Sequence, residues 1–165
     1  FLAAGGQLPI AVLTANRPEM LHDTLLSLLQ VRGVRQQDIL VFQDGTDPEV
    51  ARTAKGLGFP PIQHIHNLRG RRMDGGQLIA AHYKFTLSEA FSRRPEAPAL
   101  VVVEDDFRFS PDFLEYFRSV APILERDPTT YVISSWNDNG LAGKVSDSRA
   151  LQRTGFFPGL GWLLS

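Results

Sequence analysis

A mainly parallel α/β sheet with helices on both faces is the fold this sequence predicts, and three observations carry the prediction. Strand-like and helix-like apolar stretches alternate at short intervals along the chain. No internal repeat or low-complexity tract interrupts that rhythm. Charged residues suited to chemistry fall just after strand-like runs, at the strand ends where open α/β sheets bind their ligands.

Residues 9–15 read as a buried strand. Pro18 stands near the start of a helix, where its preset φ is favourable, and Leu21, Leu25, Leu28 and Leu29 recur on one face. Residues 38–43 read as the second strand, and 48–57 as a second helix that Gly56 and Gly58 end. The third strand covers 61–66. Residues 67–76, which hold Arg69, Arg71 and Arg72 with Gly70, Gly75 and Gly76, read as a basic loop ahead of a helix over 77–91. An apolar strand over 99–103 then runs into acids. Residues 111–125 are amphipathic, with Phe113, Phe117, Val120 and Leu124 facing inward, and Asp127-Pro128 stops the helix before a strand over 131–136. Trp136-Asn137-Asp138-Asn139-Gly140 reads as a turn into a polar loop.

Composition bounds the function. At 165 residues, 43% hydrophobic and 10% aromatic, the chain suffices for one domain with a sizeable core. Seventeen basic and eighteen acidic residues leave a charge of −1, so no nucleic-acid binding driven by bulk charge is expected. The absence of cysteine excludes disulfides, thiolate zinc sites and cysteine nucleophiles. Apolar runs such as 99–103 fall far short of the roughly 20 residues of a membrane-spanning helix, and residues 1–6 are too short for a signal peptide, so no membrane contact is expected from this segment. Because the sequence starts without Met and stops within an apolar stretch, residues 1–165 are read as one part of a longer protein.

The most informative segment is Ala99-Leu100-Val101-Val102-Val103-Glu104-Asp105-Asp106-Phe107, an apolar strand that ends in three successive carboxylates. Adjacent ionised acids repel one another and favour a divalent cation, and hard oxygen ligands suit Mn²⁺ or Mg²⁺ over zinc. A solvated acid cluster beside the helix that starts at Ser110-Pro111 is the alternative, since acids are favourable near a helix N-terminus. Arg17 follows the first strand and Asp44 the second. A parallel sheet would bring both to the same rim as Asp105-Asp106.

These residues resemble the N-acetylglucosaminyltransferase I family, glycosyltransferase family 13, from about Leu8 to the last residue. The resemblance rests on Ala15-Asn16-Arg17, Gln43-Asp44, Ala81-His82-Tyr83 and Val102-Val103-Glu104-Asp105-Asp106 in the expected order. Ser110-Pro111-Asp112-Phe113, Ser135-Trp136-Asn137-Asp138-Asn139-Gly140 and Phe156-Phe157-Pro158-Gly159-Leu160-Gly161-Trp162 extend it. It implies a GT-A nucleotide-diphospho-sugar transferase fold, C-terminally truncated here, with UDP-N-acetylglucosamine as donor and Mn²⁺ bridging its diphosphate. It also implies inverting transfer in β-1,2 linkage to a mannose of an N-linked glycan on a glycoprotein acceptor, in the Golgi lumen, with a membrane anchor on the full-length protein. A relative acts on protein O-linked mannose, and Glu104-Asp105-Asp106 leans toward the N-glycan enzyme.

Roles follow from the resemblance residue by residue. Asp106 is the expected metal ligand, because one carboxylate with diphosphate oxygens and waters fills an octahedral shell. Asp105 and Glu104 are expected to contact ribose or sugar hydroxyls, Asp105 projecting oppositely to its neighbours if the strand persists. Asp44 would accept from the uracil imide, although Asp44-Gly45 is also an ordinary turn dipeptide. Arg17 would pair with uridine or phosphate oxygens, or stay a surface residue of its turn. His82, one turn beyond Leu78, would contact the donor, or serve the core edge. The basic loop suits closure over a diphosphate and equally suits solvent. Residues 136–140 and 159–162 would line a sugar pocket, unless turn formation and packing account for them.

Animal members of that family carry cysteines where this chain has Ala15 and Gly45, so strand packing must fix those two strand ends. The family places its general base in an acidic, tryptophan-containing segment after the Gly-Leu-Gly-Trp run, so the catalytic base is expected beyond Ser165 and none within residues 1–165. A non-catalytic nucleotide-sugar-binding module is therefore the competing reading. A generic phosphoryl-transfer domain is disfavoured because the sequence has no Gly-rich P-loop with Lys-Ser/Thr.

Overall fold

The computed structural model describes residues 7–67, 72–147 and 149–165. The chain runs β1 (Ile10–Thr14), α1 (Pro18–Leu29), β2 (Ile39–Asp44), α2 (Pro48–Gly56), β3 (Ile62–His64), α3 (Gly75–Arg93), β4 (Leu100–Glu104), α4 (Phe113–Val120), α5 (Pro122–Arg126), β5 (Ile133–Ser134) and β6 (Trp162–Leu164). The strands form one sheet in the order β3-β2-β1-β4-β6-β5. The first four are parallel, with Ile10 opposite both Ile39 and Val101. Mainly parallel pairing with helices on both faces is thus the architecture, as the alternation of elements predicts.

Its two faces follow from period-two burial along the central strands. Ile10, Val12, Val101 and Val103 point to one side, where Leu21, Leu25 and Leu28 of α1, Val50 and Ala54 of α2, and Phe113, Leu114 and Phe117 of α4 cover them. Ala11, Leu13, Leu100 and Val102 point to the other, against α3 through Ala90, Tyr83, Phe85 and Leu87. Right-handed crossovers explain the division. The chain moves outward from β1 to β3 over one face, then returns through α3 over the other to lay β4 beside β1. Strand order therefore reverses at the seam between β1 and β4, the chain leaving β1 toward β2 and leaving β4 toward the opposite edge of the sheet, which opens a crevice at their carboxyl ends.

Helix boundaries have local causes. Pro18 and Pro48 sit in the first turns of α1 and α2, and the Asp47 carboxylate accepts from the amides of Glu49 and Val50. A capping box starts α3 before residue 77: Gln77 N donates to Asp74 Oδ1 at 2.8 Å and Asp74 N to Gln77 Oε1 at 3.1 Å. The single helix expected over 111–125 is two short ones. Pro122 has no amide hydrogen to continue the ladder, so α4 closes at Ala121 and α5 restarts there. Phe113, Phe117, Val120 and Leu124 are nevertheless all buried.

The far side of the sheet differs most from expectation. β5 has two residues rather than a strand over 131–136, and it pairs with β6, which runs antiparallel between β5 and β4. Trp162 and Leu164 complete the α3-side core, while Leu163 points to the other. Gly161 turns the chain into β6 at φ +64, and its carbonyl accepts from Ser135 N at 2.8 Å. No helix among the described residues is long and apolar enough to cross a membrane.

Phe117 is fully buried and packs edge-on to Phe113 at 5.0 Å. Replacing it with alanine should lower unfolding free energy by about 3–5 kcal/mol in urea titration. A loss below about 1 kcal/mol would show that α4 does not seal this core.

Candidate functional site

At the carboxyl rim, β1 and β4 contribute a buried carboxylate with its partners. Asp105 is 1% exposed; its Oδ2 accepts from Thr14 Oγ1 at 2.7 Å and its Oδ1 from Arg17 Nη2. Arg17 Nη1 reaches Asp106 Oδ2 at 3.0 Å. Arg17 occupies the N-cap position of α1 without capping it through its side chain, which leaves the guanidinium for the two acids. Partial burial works against the charged guanidinium, but the charges and hydrogen bonds of Asp105 and Asp106 outweigh that and raise its pKa. Thr24 in α1 clamps the turn after β4: its hydroxyl shares its one proton between the carbonyls of Asp105 at 2.8 Å and Phe107 at 3.0 Å, and accepts from Phe107 N at 3.1 Å.

The three acids therefore have three different environments. β4 ends at Glu104, so strand alternation stops there and a turn carries the next two. Glu104 faces α3, where the Tyr83 hydroxyl donates to its Oε1 at 2.5 Å. Burial and that hydrogen bond to an anion push the Tyr83 pKa up, keeping the phenol protonated as a donor. Asp105 faces inward, with both oxygens engaged by Thr14 and Arg17. Asp106 faces outward with its side chain 39% exposed, one oxygen on Arg17.

A second cluster lies at the ends of β2 and β3. Asp44 Oδ1 is 2.5 Å from His66 Nε2 and 3.7 Å from His64 Nδ1. His82, on α3, brings its Nδ1 to 3.4 Å from His64 Nδ1, with the two rings stacked at 5.5 Å. Asp44, His64 and His82 hold ligand atoms within 4.8 Å of one another. The His82 ring is buried. Burial lowers the pKa of His82, aided by the neighbouring His64 and opposed by Asp44. His64 is lowered by burial and by His66, again against Asp44. Gly45 leaves β2 at φ +79, a conformation that favours glycine, and donates its amide to His64 O at 2.9 Å. The ladder pair Thr14 with Gln43 holds the ends of β1 and β2 together without a disulfide.

Of the six residues read from the sequence, Arg17, Asp44, Glu104, Asp105 and Asp106 lie at this rim, and His82 reaches it from α3 against His64. They form two groups rather than one, Arg17 with Glu104, Asp105 and Asp106 at the β1–β4 seam, and Asp44 with His82 beside β2 and β3. Ser165, the position beyond which the general base is expected, belongs to neither group. It is exposed and directly follows β6, whose antiparallel run pairs Leu164 with Leu100 and so carries the chain to the amino end of β4, away from the rim. Arg69 and Arg71 lie outside the described residues, and Arg72 is exposed. Trp136 is half-exposed and donates from Nε1 to Asp138 Oδ1 at 2.8 Å, whereas Trp162 is buried against Tyr83 and Phe157. His64, His66, Tyr83, Thr14 and Thr24 belong to the site beyond the six residues read from the sequence. The spacing of His64 and His66 by two at a strand end, which aims both at one side, is the signal that points to that pair.

Among known proteins, the model described as GNT-I family matches residues 3–165. The alpha-1,3-mannosyl-glycoprotein 2-beta-N-acetylglucosaminyltransferase of Arabidopsis thaliana is 35% identical over 176 residues, which take in 99% of this chain and 39% of the relative. The chain thus spans about two fifths of that relative's length. Among solved structures, the apo form of mouse xyloside xylosyltransferase 1 matches 76% of this chain and 51% of its own, at 15% identity and a TM-score of 0.41. The mannosyltransferase PcManGT from Pyrobaculum calidifontis, solved with GDP-Man and Mn²⁺, matches 81% of this chain and 37% of its own, at 17% identity and a TM-score of 0.43.

Thr14→Val should leave Asp105 Oδ2 without its donor and lower stability by about 1–3 kcal/mol, measured by urea unfolding; an unchanged midpoint would show that water replaces the hydroxyl. The lowered histidines set a pH slope. Their folded pKa values lie below the ordinary 6.5, so the unfolded chain binds more protons under that value. Stability should be full above about pH 6.5 and fall as pH drops below it, in chelator-treated buffer. Replacing both His64 and His82 with glutamine should flatten that slope, and a double variant with the parent slope would assign it elsewhere.

Proposed function

Because this chain belongs to the GNT-I family, we propose that it forms the donor-binding part of a GT-A transferase. In this reading the full-length protein moves N-acetylglucosamine from UDP-N-acetylglucosamine, with inversion and in β-1,2 linkage, to a mannose of an N-linked glycan in the Golgi lumen. The observation that carries it is the convergence of Arg17, Glu104 and Asp106 at the seam between β1 and β4, with Asp44 at the end of the adjoining β2. That seam is the switch point of the sheet, where a phosphorylated nucleotide meets strand ends and helix N-termini.

The residues have separable tasks. Asp44 is an acceptor-only group at the end of β2 and suits the imide N–H of uracil, which distinguishes uracil from cytosine by its hydrogen-bonding pattern. His82 supports that wall from α3. Arg17 offers a planar, permanently charged fork to ribose or phosphate oxygens, and Asp105 positions the fork instead of contacting the ligand. Glu104, oriented by Tyr83, suits a sugar hydroxyl. The chemistry of Asp106 fits a hard divalent cation such as Mn²⁺: it is an outward-facing carboxylate with one oxygen on Arg17 and the other available to a metal that keeps most of its waters. Such a cation supplies charge stabilisation for the UDP leaving group. Arg17 adds a second positive charge to the same diphosphate, so the chain's own residues orient the donor and favour departure of UDP. No described residue is given the role of general base, which this reading assigns to sequence beyond Ser165.

Calorimetric titration of UDP and of UDP-N-acetylglucosamine into the purified chain tests this directly. Binding should require Mn²⁺, vanish in EDTA, and lose its metal dependence in Asp106→Ala. Asp44→Ala should weaken UDP binding about 10–100-fold, the equivalent of a lost hydrogen bond to a charged acceptor. A folded chain that binds neither ligand at millimolar concentration overturns the donor site.

A further inference from the structure

The imidazoles around Asp44 are more numerous than recognition of a base requires, and of the three only His66 makes a close contact with its carboxylate. His64 and His82 approach through two like nitrogens, Nδ1 to Nδ1, at 3.4 Å, beyond the usual 2.7–3.2 Å hydrogen-bond range. That contact works as a hydrogen bond only if one ring keeps its proton there and the other its lone pair. The spacing suits something else. A tetrahedral metal with bonds of about 2.0–2.1 Å sets its ligand atoms about 3.3 Å apart. Nδ1 of His64 lies 3.4 Å from Nδ1 of His82 and 3.7 Å from Oδ1 of Asp44, and the three residues can each offer a ligand atom within 4.8 Å of the others'.

We propose that Asp44, His64 and His82 form a second cation site, separate from Asp106, that takes a borderline transition metal such as Zn²⁺ through three protein ligands and leaves one coordination position open. Ligand chemistry separates it from a Mn²⁺ or Mg²⁺ site, since two imidazole nitrogens with one carboxylate favour zinc, cobalt or nickel over the hard cations that lone carboxylates attract. His66 is the outer partner. Its Nε2 sits 2.5 Å from Asp44 Oδ1, too close for both atoms to bind one metal but well placed to hold the carboxylate in position. Side-chain exposures of 20% for Asp44 and 15% for His64 give the ion a path from solvent, while the buried His82 on α3 anchors the site to the core. The elements that carry the ligands are braced: β3 pairs with β2 in the register Asp44 with His64, and the His64 ring stacks on Phe85 of α3 at 4.4 Å. The ligand set is complete without a nucleotide, so the proposal stands apart from the donor reading. Where Asp44 also receives uracil, Zn²⁺ and UDP exclude one another.

Cobalt is the probe, because tetrahedral Co²⁺ absorbs strongly in the visible and octahedral Co²⁺ weakly. Titrating Co²⁺ into the chelator-treated full chain should give an intense band that saturates at one equivalent and is abolished by one equivalent of Zn²⁺. His64→Gln and Asp44→Asn should each weaken binding by more than about 100-fold, and His66→Ala by about 10–100-fold through the outer shell. Asp106→Ala should leave the band unchanged. Circular dichroism of each variant confirms that it is folded, and His64→Gln at a partly exposed position serves even if changes at buried His82 disturb the core. No intense band on the folded parent chain overturns the site, as does a band that survives both His64→Gln and Asp44→Asn or disappears in Asp106→Ala. The cobalt signal needs no nucleotide, so its absence overturns the metal site alone, and a missing UDP signal overturns the donor reading alone.

Discussion

A carboxylate buried between two strands is costly unless both oxygens are met, and Asp105 meets that condition with the Thr14 hydroxyl on one side and Arg17 on the other. Those bonds tie the end of β1 to the end of β4, two elements that lie far apart in sequence. They also aim Arg17. A guanidinium on a surface turn would sample many rotamers, but the inward carboxylate holds one arm and turns the other toward Asp106. With Thr24 closing the turn around Asp105 and Phe107, the backbone that presents Asp106 is fixed from three directions. One interior acid thus determines where the exterior acid and the neighbouring cation can be.

The crossover pattern decides why this happens at that seam. Helices α1 and α2 carry the chain outward from β1 over one face and α3 returns it over the other to lay β4 on the free side of β1, so the strand order reverses between β1 and β4. On the β1–β4 side the rim carries carboxylates balanced by arginine. On the β2–β3 side it carries one carboxylate among three imidazoles. The first suits phosphate with a hard cation, and the second has the nitrogen-rich chemistry of a borderline metal. Tyr83 and His82, neighbours on α3, each serve a different group, through Glu104 and His64 respectively. Helix α3 is therefore the element both groups share.

Much of this was legible from residue order. The strands at 10–14, 39–44 and 100–104 are short, apolar and bounded by turn residues, and their signal is strong because both faces are buried. Pro18 marked the start of the first helix, and Gly56 with Gly58 the end of the second. β6 is silent in the sequence because three apolar residues after a glycine-rich run carry no periodicity; only pairing with Leu100 and Val102 makes Trp162–Leu164 a strand. The break at Pro122 was visible as a residue, but the inward spacing of Phe113, Phe117, Val120 and Leu124 runs through it and suggests continuity. At the site, acids and Arg17 stood out because charge at a strand end is conspicuous. Thr14 and Thr24 did not, because a threonine in or beside an apolar run looks like any β-branched core residue until its hydroxyl is seen to meet a buried acceptor.

By itself, the sequence determined the fold class, the elements that bear chemistry and the residue types at their ends, because apolar periodicity, proline and glycine act over a few residues and need no distant partner. The family resemblance rests on the same local strings. Tertiary structure alone decided how the three consecutive acids divide their work: Glu104 goes to Tyr83, Asp105 to the interior and Asp106 to solvent. It alone gathered His64, His66 and His82 about Asp44. Those outcomes depend on which strand lies beside which and which face each helix covers, and parallel pairing through long crossovers makes such neighbours remote in sequence.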